Sequence, residues 1–174
     1  MRTRELPDYL APRLRVLFVG INPGLRSAML GHHFAGRSNR FWKLLYDSRL
    51  VDEPLTYLDD WRLPEWHLGL TNIIGRASAG IDDLRPSEYQ QGRRALEQKV
   101  VRYRPKILAF LGVTIFRRLF PDASPPSRVP ALGATSASLA RVPIYLLPNP
   151  SGRNAHYPYR RMLAAFRGLH ELAT

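Results

Sequence analysis

The segment Arg15-Val-Leu-Phe-Val-Gly-Ile-Asn-Pro-Gly24 joins an apolar run to a turn, and it decides how the rest of the chain is interpreted. An unbroken apolar run that ends at a glycine is typical of a strand buried on both faces of a parallel sheet. Later runs of similar character extend this pattern along the chain. We therefore predict four strands, over residues 15–20, 67–74, 106–112 and 142–147.

Helical segments alternate with these strands. Apolar periodicity predicts helices over residues 38–47 with Ser38 as the N-cap, from a capping box at Ser87 to just before Pro105, over 113–120 and over 154–172. Residues 121–135 are rich in Pro, Ser and Gly, which indicates a surface loop. The alternation predicts an α/β fold: a single domain over residues 1–174, with three αβα layers and a short, mostly parallel central sheet.

Basic residues far outnumber acidic ones. The chain carries 26 Lys+Arg against 14 Asp+Glu, a net charge of +12, and residues 88–174 alone contribute +10. Such an excess favours a polyanionic partner such as nucleic acid, although an arginine-rich composition inherited from genome base bias is the alternative.

Several classes of protein are excluded by composition. The chain has no cysteine, which rules out disulfides, cysteine-ligated zinc, iron–sulfur clusters and a thiol nucleophile. No apolar run approaches the ~20 residues of a membrane span, and the N-terminus lacks the apolar core of a signal peptide. We therefore expect a cytoplasmic protein with no membrane association.

Turn-forming residues follow three of the predicted strands. They are Gly20–Gly24, which we call the first motif, the pair Thr71-Asn72, and Pro148–Gly152, which we call the second motif. Because the carboxyl ends of parallel strands meet at one edge of a sheet, we expect these residues to build one cleft. The first motif has neither the Walker lysine nor a dinucleotide fingerprint, which argues against a nucleotide-binding domain.

Five segments in chain order carry a resemblance to a known family. Gly20-Ile-Asn-Pro-Gly-Leu25, Phe34-Ala, Asn39-Arg-Phe-Trp42, Gly69-Leu-Thr-Asn72 and Leu147-Pro-Asn-Pro-Ser-Gly152 resemble the mismatch-specific uracil-DNA glycosylases, bacterial relatives of thymine-DNA glycosylase. The resemblance extends over about residues 12–170. It implies a uracil-DNA glycosylase-like fold and a monofunctional enzyme of base excision repair. Such an enzyme flips a nucleotide out of mismatched duplex DNA and hydrolyses its N-glycosidic bond. Uracil is the expected base, with thymine and modified pyrimidines as further candidates.

The resemblance also implies partners and cofactors. Double-stranded DNA containing uracil mismatches is the expected partner, with the protein acting as a monomer associated with the nucleoid. No cofactor and no metal are implied. In the sequence, His32 and His33 show neither the helical spacing nor the neighbouring carboxylates of a metal site, so they suggest none either.

Roles for individual residues follow from the same resemblance. Asn22 corresponds to the residue that positions the attacking water, and Phe34 to the aromatic side chain that stacks on the flipped base. Arg153 stands where the family places the wedge that fills the gap left in the duplex. The implied base-binding residues are Gly20, Ile21 through its backbone N–H, Ser27 near C5 of the base, Phe34 and Asn72. The implied DNA-binding residues are Asn149, Ser151, Gly152, Arg153 and Asn154.

Two alternatives remain open at this point. Asp82 or Asp83 could reach the cleft and activate the water that Asn22 only positions, or Asp83 could cap the following helix with Asp82 in solvent. A non-catalytic, basic nucleic-acid-binding module on the same fold is the other reading. It would bind DNA without releasing a base.

Overall fold

The computed structural model describes residues 5–124 and 129–174, and a five-stranded sheet lies at its centre. The strands are β1 (Val16–Gly20), β2 (Leu68–Asn72), β3 (Ile107–Leu111), β4 (Gly133–Leu139) and β5 (Val142–Leu147). They are arranged in the order β2–β1–β3–β5–β4. The first four in this order are parallel, and β4 pairs antiparallel with β5 at the edge.

Helices connect the strands and cover both faces of the sheet. They are α1 (Leu25–Leu30), α2 (Phe41–Asp47), α3 (Pro86–Tyr103), α4 (Val113–Leu119) and α5 (Tyr159–Ala173). Among the described residues, 3₁₀ helices occupy Tyr57–Trp66, Ile81–Asp83 and Pro121–Ala123.

The alternation of side chains along β1 divides the core into two halves. Phe18 points to the face covered by α2 and α5, where it packs edge-on against Phe41 at a centroid distance of 5.2 Å. Leu17 points to the opposite face, where Leu96 of α3 and Phe116 of α4 belong to the same buried cluster. Burial of one such side chain contributes about 1.5–3 kcal/mol. The predicted three-layer αβα fold with a mostly parallel sheet is confirmed.

The strand β4 corrects one expectation. Its first residues, 133–135, fall in the segment predicted as a loop, and the sequence reading assigned no strand there. Small side chains such as Ala134 and Ser136 give no apolar signal, and these two are exposed because β4 is an edge strand. Residues 125–128 of the predicted loop lie outside the described residues.

Helix starts differ from the predictions at three places. The helix α2 begins at Phe41, where Asn39 Oδ1 accepts the backbone N–H at 2.9 Å, so Ser38 is not its N-cap. The helix α3 begins one residue before Ser87, at Pro86, whose missing N–H suits a first helical position. The helix α5 begins at Tyr159 and not at residue 154, because turns and bends continue after the second motif up to the extended N-cap residue Pro158.

Within the residues that the structure describes, none of the helices is both long enough and apolar enough to cross a bilayer. The carboxyl ends of the parallel strands β1, β2, β3 and β5 all lie on the same side of the sheet, which is where open α/β sheets carry their sites.

Candidate functional site

A cleft of about 180 Å³ lies at the carboxyl ends of the parallel strands. It brings together most of the residues that the resemblance singled out, from the first motif, the end of β2 and the second motif. Its lining consists of Leu6, Gly20, Ile21, Asn22, Pro23, Gly24, Ser27, His33, Phe34, Asn39, Asn72, Ile81, Leu111, Asn149, Pro150 and Ser151.

The Asn22 side chain has a fixed orientation. Its amide nitrogen Nδ2 donates to Arg76 O at 3.0 Å and to Ser78 Oγ at 2.8 Å. The Ser78 hydroxyl donates in turn to Gly80 O at 2.7 Å, so its oxygen is free to accept from Asn22. With both amide hydrogens used by the protein, the Asn22 oxygen Oδ1 is the end that remains for a water or ligand.

Backbone hydrogen bonds join the first motif to the segment that follows β2. Ile73 N–H and Ile74 N–H donate to the carbonyls of Gly20 and Ile21 at 2.9 and 2.8 Å, and Ser78 N–H donates to Pro23 O at 3.2 Å. The carbonyl groups of the first motif are the acceptors in these bonds. The bonds attach the first motif, which carries Asn22, to the loop after β2, which carries the groups that orient the Asn22 amide.

Phe34 lies in an irregular turn with a left-handed backbone, at a φ of +51°. A non-glycine residue in this region costs about 1–2 kcal/mol, so surrounding contacts must hold it. Its ring stacks on Phe41 with centroids 4.2 Å apart and an interplanar angle of 30°. Ser27 is buried beside it, and Ser27 Oγ accepts the Ala35 N–H at 3.0 Å. One flat ring is thereby fixed on the wall of the cleft.

Gly20 and Asn72 occupy the ends of the paired strands β1 and β2. A Cβ atom at position 20 would stand 2.5 Å from Asn72 Oδ1 and 3.9 Å from the Phe34 ring. The absence of a side chain at Gly20 is therefore what lets the Asn72 amide lie across the end of β1 and line the cleft.

The second motif forms a tight turn stabilised by its own side chains. Asn149 Oδ1 accepts the Ser151 N–H at 3.0 Å, and Ser151 Oγ accepts the Arg153 N–H at 3.3 Å. Asn154 Nδ2 donates to Asn149 O at 3.0 Å. Asn149 and Ser151 line the cleft directly, whereas Asn154 supports the turn from outside it.

A second groove of about 450 Å³ adjoins the cleft and contains Arg153. The two cavities share Ile21, Ile81 and residues of the second motif. Arg153 is exposed, and its Nη1 donates to Ala79 O at 3.4 Å across this groove. The residue predicted as the wedge thus lies at the mouth of the cleft and not inside it.

Gly152 has a packing role. A Cβ atom at this position would stand 2.2 Å from Ser38 Oγ and 2.6 Å from Ser38 O. Arg40 N–H also donates to Pro150 O at 2.9 Å. The second motif is therefore packed directly on the residues that precede α2.

Asp82 and Asp83 lie outside the lining of the cleft. Both are exposed members of the short 3₁₀ helix Ile81–Asp83. Asp83 Oδ2 accepts the Gly80 N–H at 3.3 Å, so Asp83 caps its own 3₁₀ helix and not α3, where Glu88 accepts the N-cap N–H. Arg76 Nη2 donates to Asp83 O. It is Ile81, from the same turn, that faces the cleft.

Two ionisable residues close to the site, Glu88 and His33, have shifted pKa values. Arg76 Nε lies 2.6 Å from Glu88 Oε1, and this contact lowers the pKa of Glu88 to about 2. Burial lowers the pKa of His33, which favours a neutral ring, and His33 Nε2 lies 2.7 Å from Pro7 O.

Across residues 5–124 and 129–174, no group of three or more His, Asp or Glu side chains is arranged to hold a metal ion.

Sequence reasoning missed several residues of the site, among them Asn39 and Ser78. Asn39 lines the cleft, and its position in Asn39-Arg-Phe-Trp42 was quoted without being given a role. Ser78 orients Asn22 but has no recognisable sequence signal, since the turn that brings it under the first motif is irregular.

Comparisons with known proteins agree with this geometry. The family described as the uracil DNA glycosylase superfamily matches residues 7–169. A G/U mismatch-specific uracil DNA glycosylase from Schizosaccharomyces pombe is 45% identical over 108 residues, which are 61% of this chain and 33% of that protein. The chain thus matches only a third of the length of this curated relative.

A solved structure shares the fold. The solution NMR structure of a candidate uracil DNA glycosylase from Methanosarcina acetivorans superposes with a TM-score of 0.59 and 16% identity, covering 97% of this chain and 98% of that one. At this identity the likeness bears on the fold alone.

Proposed function

Because the chain belongs to the uracil DNA glycosylase superfamily, we propose that it removes uracil from mismatched duplex DNA by hydrolysing the N-glycosidic bond. The observation that carries this proposal is the Asn22 amide, whose two hydrogens are held by the protein while its oxygen is left for a water at the cleft. The product would be free uracil and an abasic site, as expected for an enzyme of base excision repair.

Asn22 is proposed to orient the attacking water and not to deprotonate it. A neutral amide is not a strong base, so its contribution is positional. The exposed position and capping contact of Asp83, and the exposure of Asp82, favour the reading in which neither carboxylate takes part. We therefore propose an enzyme slower than one armed with a carboxylate at position 22.

The base would be held by stacking and by the polar wall of the cleft. The Phe34 ring offers a flat face, and stacking of a base on an aromatic ring is worth about 1–3 kcal/mol. Ile21 would donate its backbone N–H to a uracil oxygen and stabilise the departing anion. Gly20, Ser27 and Asn72 complete this proposed set, with Ser27 small enough to tolerate a substituent at C5.

The second motif is proposed to hold the DNA around the flipped nucleotide. Asn149 and Ser151 would bind the sugar and phosphate, with Gly152 and Asn154 maintaining the turn. Arg153 would leave Ala79 O and occupy the gap in the duplex, where a guanidinium can stack and can hydrogen-bond the unpaired guanine.

The proposed reaction needs no metal and no cofactor. We further propose that residues 1–174 act as one domain and as a monomer in the cytoplasm, associated with the nucleoid through DNA. The two halves of the core share one sheet, which supports the single domain.

The test is a base-release assay on duplexes containing U:G, U:A and T:G, and on single-stranded uracil DNA. Release from U:G is expected under single-turnover conditions, with Asn22→Ala at least about 100-fold slower because the water is no longer oriented. Asp82→Ala and Asp83→Ala are expected to match the wild type. DNA binding without release of any base would instead identify a non-catalytic binding module.

A further inference from the structure

Asp60 is the one acidic side chain that is buried in the parts of the chain that the structure describes, with none of its surface exposed. It belongs to the 3₁₀ helix Tyr57–Trp66. A buried carboxylate is tolerated only where donors surround it. Here Oδ1 lies 3.0 Å from His32 Nδ1, and Oδ2 accepts the His33 backbone N–H at 2.9 Å.

A third group also faces this carboxylate. The pKa of Tyr9 is raised to about 12, first by burial and then by the charge and hydrogen bonding of Asp60. Tyr9 also packs edge-on against the His33 ring, at a centroid distance of 5.6 Å. The carboxylate is thus joined to both residues that precede Phe34 and to the side chain packed against one of them.

The turn that carries Phe34 has no helix or strand to hold its backbone. On its downstream side, Ala35 N–H donates to Ser27 Oγ and Ala35 O accepts from Arg26 Nε at 2.9 Å. On its upstream side, the acceptor of the His33 N–H is Asp60. Phe34, with its left-handed backbone, is clamped between these two sets of contacts.

We infer that Asp60 is a positioning residue, which acts through the His33 backbone to hold the Phe34 ring flat on the wall of the cleft. This inference rests on the base-stacking role proposed for Phe34. Asp60 is not needed to begin its own helix, since Asp59 performs that task by accepting the Thr56 N–H at 2.9 Å. Nor does Asp60 itself line the cleft. Its contacts are directed to the turn.

A double-mutant cycle with Phe34→Ala tests this inference. Asp60→Ala is expected to slow single-turnover excision by about 20-fold, and Asp60→Asn, which keeps the shape and one acceptor oxygen, by about 3- to 10-fold. If Asp60 acts through Phe34, adding either change to Phe34→Ala should cost no more than about a further twofold. Losses that multiply in the double variants would overturn the inference.

Asp59→Asn is the matched control. It weakens the cap of the same 3₁₀ helix but leaves the turn at Phe34 untouched. We expect it to lower the urea midpoint while excision by the folded protein stays at the wild-type rate. A loss of excision equal to that of Asp60→Asn would mean that the helix as a whole, and not Asp60, positions the ring.

A readout that does not depend on activity separates this inference from the proposed function. With 4-fluorophenylalanine at position 34, the wild type and Asp59→Asn should each give one narrow ¹⁹F resonance. The Asp60 variants should give a shifted, broadened or split signal, because the ring would occupy more than one orientation. An unchanged resonance in folded Asp60→Asn would refute the positioning role even if the protein released no base.

Discussion

The Asn22 side chain derives its proposed role from which end of the amide faces the cleft. An amide has one donor end and one acceptor end, and the carbonyl of Arg76 with the hydroxyl of Ser78 together select the donor end. A carboxylate in the same position would place an oxygen against the Arg76 carbonyl oxygen with no hydrogen between them. These two acceptors suit an asparagine at position 22 and not an aspartate. They fix the direction of the Asn22 oxygen Oδ1 before substrate binds.

Ser78 offers the sharpest test of this orientation. Ser78→Ala removes the acceptor of one Nδ2 hydrogen, so Asn22 should rotate more freely, and we expect single-turnover excision at saturating enzyme to fall by about 10-fold. The half-saturating enzyme concentration should hardly change, because Ser78 does not line the cleft. Rapid-quench kinetics on a U:G duplex separates the two quantities.

Ser136→Ala on the exposed face of β4 is the matched control, since it removes the same hydroxyl far from the cleft. It should behave as the wild type in both quantities. A Ser78→Ala variant that loses affinity while keeping its maximal rate would contradict the proposed orientation of Asn22.

The second motif packs directly against the residues that precede α2. Gly152→Ala places a Cβ within 2.6 Å of Ser38 O, a backbone atom that cannot rotate away. We expect unfolding free energy to fall by about 1–3 kcal/mol, as for other overpacked sites. Excision should fall as well, because the turn carrying Asn149 and Ser151 must shift. Urea denaturation and single-turnover assays measure the two effects.

Gly36→Ala is the control for this prediction. Its Cβ would meet Asn39 Cβ at an ordinary contact distance of 3.8 Å, in the same loop region. This variant should keep the stability and the rate of the wild type. Equal losses in the two variants would mean that the loop tolerates no added methyl group anywhere, and that the contact between Gly152 and Ser38 is not special.

The elements differ in how far sequence could predict them. The strands β1, β3 and β5 are apolar runs buried on both faces, and their positions were predicted to within a residue or so. The edge strand β4 was missed because it is held by pairing with β5 and not by apolar side chains. The cleft could be predicted because its residues follow strand ends. The roles of Ser78 and Asp60 could not be predicted. Each bonds to a residue more than 25 positions away in the chain, and irregular segments bring the two partners together.

The positive charges of the protein lie at both ends of the parallel strands, and only those near the cleft are expected to bind DNA. Arg160 and Arg161 lie in the first turn of α5, close in the chain to Tyr157, which lines the groove beside the cleft. Both are exposed, and Arg161 lies over the Tyr157 ring at 5.1 Å. Lys106, by contrast, immediately precedes the central strand β3, at the amino ends of the parallel strands and opposite the cleft. The two groups contribute the same sign of charge from opposite ends of the molecule.

Salt dependence of binding distinguishes located charge from net charge. Each phosphate contact contributes about −0.9 to the slope of log affinity against log salt, so Arg160→Gln combined with Arg161→Gln should make the slope less steep by about 2. Lys106→Gln should leave it unchanged, because DNA bound at the cleft is expected to make no phosphate contact at the amino ends of the strands. Fluorescence anisotropy with a U:G duplex, from 50 to about 200 mM salt, measures all three slopes. If Lys106→Gln flattened the slope as much per charge as the α5 variants, the attraction would come from the net charge of the protein. The arginines near the cleft would then contribute no more to DNA binding than other positive residues.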